Sequence, residues 1–263
     1  MQQAIDFLEE ARALHRLVAA RPASFLSQNT LFKGWTVEDI IRHLHVWDGM
    51  ADLSRTDPDA FAAQIGAVGA GIMAGSTREV EQQVCPLTGR HLIAAWQARF
   101  ERMGAEWATV DPKLRLKWAG PDMSARSSIS ARVMEVWAHG QAVFDLAGVA
   151  RTPTARLWNV VALGVNTFGW SHKVNGFDVP EAMPQLRLSL NGEVREWGDP
   201  DAGLIEGPAD AFAQVVTQTR NIADVPLTVS GEVAERWMAT AQCFAGPRNA
   251  PPPAGRRHMA QTV

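Results

Sequence analysis

Two stretches of this 263-residue chain carry side chains of the kind that hold a metal ion. The run Met134-Glu-Val-Trp-Ala-His139 places Glu135 and His139 at i and i+4, one turn apart on one face of a helix. Their neighbours on that face, Ala131, Ala138 and Ala142, are small and leave room for an ion and its waters. A second stretch, His43-Leu-His45, offers two imidazoles that helical geometry points apart. His43 shares a row with Ile40, Trp47 and Met50 beside the core. His45 shares one with Glu38, Arg42, Asp48, Gly49 and Asp52 and is expected to face solvent. His43, Glu135 and His139 therefore make a His₂Glu set, three protein ligands with open positions, as in catalytic zinc sites. The same donors also take Ni²⁺, Fe²⁺, Mn²⁺ or Co²⁺. Taken singly, a Glu-x-x-x-His pair is more often a solvated surface couple, and a lone His a hydrogen-bonded core residue. Facing one another in one bundle, they favour a divalent metal.

Such a set needs long helices to hold it, and the first part of the chain reads that way. Apolar residues recur at helical spacing over Gln2–Ala20, from about Thr36 to Leu53, over Thr88–Trp107 and over Ser124–Gly148. Thr36 can cap the second of these, with Glu38 and Asp39 in its first turn. Short connections between four such helices predict an antiparallel bundle. The stretch GAVGAGIMAG (66–75) lacks the Gly-Lys-Ser/Thr of a phosphate loop and reads as a connector or a loosely packed helix. Pro112 and the Gly120-Pro121 pair punctuate a loop. A further apolar helix is expected from Thr154 to about Trp170, and residues 176–184, with a glycine and two prolines, read as a linker. Beyond it, Leu186–Leu190 and Glu193–Trp197 alternate around Asn191-Gly192, a strong hairpin signal. Helices are expected from Pro208 to Arg220 and from Glu232 to Phe244. The expected class is α+β: a helical bundle over 1–175, a small α+β domain over 185–246, and a Pro-rich disordered tail over 247–263.

Composition narrows the function. Lys+Arg 25 against Asp+Glu 28 leaves a net charge of −3, with no electrostatic footprint for nucleic acid. No apolar run is long enough to span a membrane. The first ten residues carry acids where an export signal carries positive charge, and two cysteines make no disulfide framework, so a cytoplasmic location is expected. There is no tyrosine, and nothing resembles the Gly-x-Ser-x-Gly of a hydrolytic serine. The lack of an internal nucleophile favours an external one, such as a low-molecular-weight thiol activated by the metal.

The Gly34-Trp35-Thr36-Val37-x-Asp39-x-x-x-His43-Leu44 signature and Glu135-x-x-x-His139 together resemble the DinB-like superfamily, in particular its mycothiol-dependent maleylpyruvate isomerase branch. The resemblance implies a DinB-like four-helix bundle followed by a small sterol-carrier-like α+β domain. It implies that His43, Glu135 and His139 hold the metal and that mycothiol or a similar thiol is the co-reactant. It also implies a catalytic arginine from the second domain, for which Arg220 is the best match. One position departs: where the isomerase has an Asp three residues after its second His, this chain has Ala142, and the nearest acid is Asp145. The expected activity is metal-dependent isomerisation or sulfur transfer on a small electrophile. The rivals are a non-catalytic metal- or apolar-ligand-binding protein and a metal-dependent hydrolase. Expected partners are the substrate and the thiol, with a homodimer allowed.

Overall fold

A computed structural model describes residues 1–118, 120 and 122–260. Pro121 of the expected Gly120-Pro121 break lies outside them. The chain forms two compact units, residues 1–143 and 144–263.

The first unit is helical. It contains α1 (Gln2–Ala19), α2 (Val37–Thr56), α3 (Pro58–Met73), α4 (Thr77–Val84), α5 (Gly89–Ala108), a two-stranded β1 (Arg115–Leu116) and β2 (Met123–Ser124) ribbon, and most of α6 (Ala125–Leu146). α2 is the organising helix, packed by α5, α3 and α4. It starts at a capping box: the Asp39 amide donates to Thr36 Oγ1 and the Thr36 amide donates to Asp39 Oδ2, each at 3.0 Å. Phe7, Ile40, Ile41, Leu44, Trp96, Phe100 and Trp107 are fully buried in its core. Residues 66–73 of the Gly/Ala-rich stretch expected as a connector or loose helix form the second half of α3, and residues 74–75 the turn after it.

The second unit is α+β. It holds α7 (Leu157–Asn166), α8 (Phe168–Val174), β3 (Pro184–Leu190), β4 (Glu193–Trp197), β5 (Asp199–Pro208), α9 (Ala209–Val216), β6 (Thr228–Ser230) and α10 (Glu232–Thr240). The sheet order is β4-β3-β5-β6, with β3 and β5 parallel and the outer pairings antiparallel. Asn191 (φ 50°) and Gly192 (φ 86°) make the expected tight turn, both in the left-handed region that primed hairpin turns require. β3 alternates, burying Leu186, Leu188 and Leu190 and exposing Arg187 and Ser189.

The boundary differs from the sequence expectation. The apolar run after Thr154 falls inside the expected bundle bounds of 1–175, whereas it forms two helices, α7 and α8, that pack on α9 and α10 of the second unit. An apolar helix shows that it needs a partner without showing which one. The expected disordered tail is also tied down as far as Ala260. Gln218 Nε2 donates to Asn249 O (2.8 Å), Asn221 Nδ2 to Pro252 O (2.8 Å), and the Ala260 amide to Asp145 O (2.8 Å). Proline lacks an N–H, but its carbonyl still accepts, which is how this Pro-rich segment is held.

Candidate metal centre

The capping box sets the start of α2, and His43 follows one turn after Asp39, facing α6. Ligand atoms of His43, Glu135 and His139 all lie within 4.8 Å of one another. His139 Nε2 is 3.1 Å and His43 Nε2 3.5 Å from Glu135 Oε2. The three side chains are 13%, 22% and 12% exposed, sheltered yet reachable. Trp35 stacks on the His139 ring at 5.9 Å and 14°, and Phe32 meets it edge-on at 4.9 Å. Trp35 also meets His43 edge-on at 5.4 Å.

One residue of the centre escapes the sequence reading. Glu81 on α4 is 1% exposed, and its Oε1 lies 2.7 Å from His43 Nδ1 and accepts from Trp47 Nε1 at 2.9 Å. A carboxylate behind a ligating imidazole fixes its tautomer and aims the other nitrogen, here Nε2, at the metal position. No sequence signal marks Glu81. It is one of two acids on an eight-residue helix whose place is set by tertiary packing. Glu81→Gln should keep the fold and weaken metal binding about ten- to hundredfold, read by competitive chelator titration; an unchanged affinity would remove Glu81 from the centre.

The electrostatics suit a cation. Burial opposes charging His43, but Glu81 and Glu135 outweigh it and raise the metal-free imidazole to about 9. Burial would raise Glu135, yet hydrogen bonds from His139 and His43, with the charge of Arg132, hold it well below the usual carboxylate range. Burial and the neighbouring His43 charge lower His139. His139 Nδ1 is buried without a partner. Two imidazoles and an ionised carboxylate converging in this way fit a divalent ion of the zinc type.

The sign of the pH dependence follows from His43. Its charged form stabilises the metal-free protein fully below pH 6.5, and that contribution is lost as pH rises through about 9. Metal binding needs the neutral imidazole, so affinity should run the opposite way, rising up to about pH 9 with release of a proton. Calorimetry in buffers of different ionisation enthalpy reads that proton; no release at pH 7 would contradict this arrangement.

The other expected site residues fall differently. His45 is not on a solvent face: it is 7% exposed, and Arg42, Asp48 and Asp52 beside it are also buried. These charges are paired inside. Arg42 donates to Glu38 Oε1 (3.0 Å) and to the Cys85 and Leu87 carbonyls, and Asp48 accepts from Arg132 Nε (2.8 Å) and Trp96 Nε1 (3.1 Å). Arg132 is thus in a buried ion pair. Arg220 does not end a helix. α9 stops at Val216, Gln218 turns left-handed (φ 56°), and Arg220 follows, donating to Asp145 Oδ1 at 2.7 Å within the second unit.

A family model described as mycothiol maleylpyruvate isomerase N-terminal domain matches residues 7–144. Two uncharacterized proteins of Mycobacterium tuberculosis, one from each of two strains, are each 36% identical over 246 residues, covering 92% of this chain and 95% of their own. Among solved structures, the crystal structure of the mycothiol-dependent maleylpyruvate isomerase aligns at a TM-score of 0.53 and 16% identity, covering 87% of this chain and 92% of that one. A histidine-to-alanine mutant of that isomerase aligns at 0.50 and 16%, covering 81% and 87%. At such identity the likeness is one of fold. The family match takes in every residue of the centre, His43, Glu81, Glu135 and His139, and spans just over half of the sequence: the chain belongs to the mycothiol maleylpyruvate isomerase N-terminal domain family.

Proposed function

We propose that this protein is a divalent-metal-dependent enzyme that uses a low-molecular-weight thiol of the mycothiol type to isomerise, or transfer sulfur onto, a small electrophile. The observation that carries this reading is the convergence of His43, Glu135 and His139, with Glu81 behind His43. The activity for which the solved neighbours are named, mycothiol-dependent maleylpyruvate isomerisation, suggests the thiol and the substrate class.

His43, Glu135 and His139 would hold the ion, and Glu81 would keep His43 Nε2 facing it. When bound, the ion supplies Lewis acidity that brings a thiol's pKa toward neutrality. Trp35 and Phe32 set their rings against the ligand imidazoles, which would limit water there and strengthen charge interactions. The thiol sulfur would add to one carbon of an activated double bond, letting the resulting single bond rotate. Expulsion of the sulfur then restores the double bond and returns the thiol. Arg220 is proposed to orient a substrate carboxylate, for which a guanidinium fork suits better than a point charge.

The test is protein purified without a polyhistidine tag, analysed for metal, then assayed with thiol and a cis-unsaturated keto acid. Cis-to-trans conversion should need both metal and thiol. Arg220→Ala should lower turnover about tenfold or more with metal content unchanged. Turnover without thiol would point to a metal-dependent hydrolase, and stoichiometric metal with no turnover to a binding protein.

A further inference from the structure

His45 lies two residues beyond His43, about 200° further round the helix, and belongs to different surroundings. It lines a cavity of about 380 Å³ with Met50, Leu53, Val84, Leu87 and Arg99, and none of the four metal-centre residues borders it. The volume is within the range of small-molecule sites. Its wall is mixed, with Met50, Leu53, Val84 and Leu87 on the apolar side and His45, Gln64 and Arg99 on the polar side, and two of these polar residues carry a buried atom without a partner. His45 is 7% exposed and its Nδ1 meets no hydrogen-bonding atom. Arg99 Nε is also buried without an acceptor.

A half-buried guanidinium with no carboxylate bonded to it is uncommon, because desolvating a charge is unfavourable unless it is paired. Burial accordingly holds Arg99 below the usual guanidinium range. The nearby acids are already engaged. Asp48 accepts from Arg132 and Trp96, and Asp52 from Arg55, Arg102 and Trp107. The guanidinium is also closely seated. A Cβ at Gly49 would lie 1.9 Å from Arg99 Nη1, so only glycine lets the guanidinium rest against α2.

We propose that this cavity is a second ligand site. It takes a small organic carboxylate whose carboxyl group meets the Arg99 guanidinium beside His45 and whose apolar body lies against Met50, Leu53, Val84 and Leu87. One guanidinium matches a monoanion, whereas a phosphate dianion calls for more positive charge. The site is independent of the metal centre and of the activity proposed for it.

Calorimetric titration with hexanoate, against hexanamide as the uncharged control, tests the site. Hexanoate should saturate with Kd below about 1 mM and hexanamide should bind at least about tenfold more weakly. Arg99→Met should weaken hexanoate more than about tenfold, and Gly49→Ala about three- to tenfold by displacing the guanidinium. His43→Ala should leave hexanoate binding unchanged, which separates this site from a carboxylate on the metal centre. Because Arg99 has no hydrogen-bonded carboxylate to lose, Arg99→Met should fold with Tm at or above the parent's. No saturation by about 10 mM, equal affinity in Arg99→Met, loss of binding in His43→Ala, or a lowered Tm in Arg99→Met would each overturn the proposal.

Discussion

His43→Ala is expected to leave the protein folded and without bound metal at micromolar ion concentrations. The variant removes one of the three donors that converge among the described residues, and Glu81 would be left buried with Trp47 as its hydrogen-bond donor. The loss should therefore exceed the ten- to hundredfold typical of an outer-shell change, and Glu135→Ala and His139→Ala should behave alike. His45→Ala, on a different face of the same helix, should retain metal. Elemental analysis after gel filtration reads all four. Metal retained in the three ligand variants, or lost equally in the His45 variant, would sink the triad.

The second large effect concerns stability. Arg132 and Asp48 form an ion pair at 2.8 Å, 3% and 0% exposed, with Trp96 on the other carboxylate oxygen. Removing one partner leaves a buried charge, so Arg132→Met and Asp48→Leu should each destabilise the helical unit by about 3–5 kcal/mol. The double variant should recover much of that, since two apolar side chains can replace a buried pair at little net change. Chemical denaturation followed by far-ultraviolet circular dichroism measures all three. Single variants costing under about 1 kcal/mol, the value of an exposed pair, would show that the pair does not bear on stability.

The same pair shows where reading from sequence stops. The box opening α2, the Asn191-Gly192 turn and the alternation of β3 are legible because each is encoded within a few residues. The meeting of His43 with Glu135 and His139 is legible because helical spacing fixes which face each occupies. Asp48, His45 and Asp52 read as solvent-facing because charge normally marks the outside. Here the same helix is packed by α5, α3 and α4, and most of its buried charges are neutralised by residues far along the chain: Arg132 lies 84 positions from Asp48. Glu81 is invisible for the same reason. It reaches His43 from 38 positions away, through helices whose placement no local pattern encodes. The partner of α7 is hidden likewise, since a sequence shows an apolar face without what covers it.

The four-stranded sheet ends in β4 on one side and β6 on the other. Open edges of this sort can template pairing between molecules and seed aggregates. β4 carries Glu193, Arg195 and Glu196, with the Arg195 guanidinium 4.3 Å over the Trp158 ring and Trp158 Nε1 donating to Glu193 at 3.1 Å. A neighbouring strand would have to desolvate that charged row and strip it from the tryptophan. β6 offers only three residues, too few for a stable register. One margin is guarded by charge and the other by brevity, both of which disfavour edge-to-edge pairing between molecules.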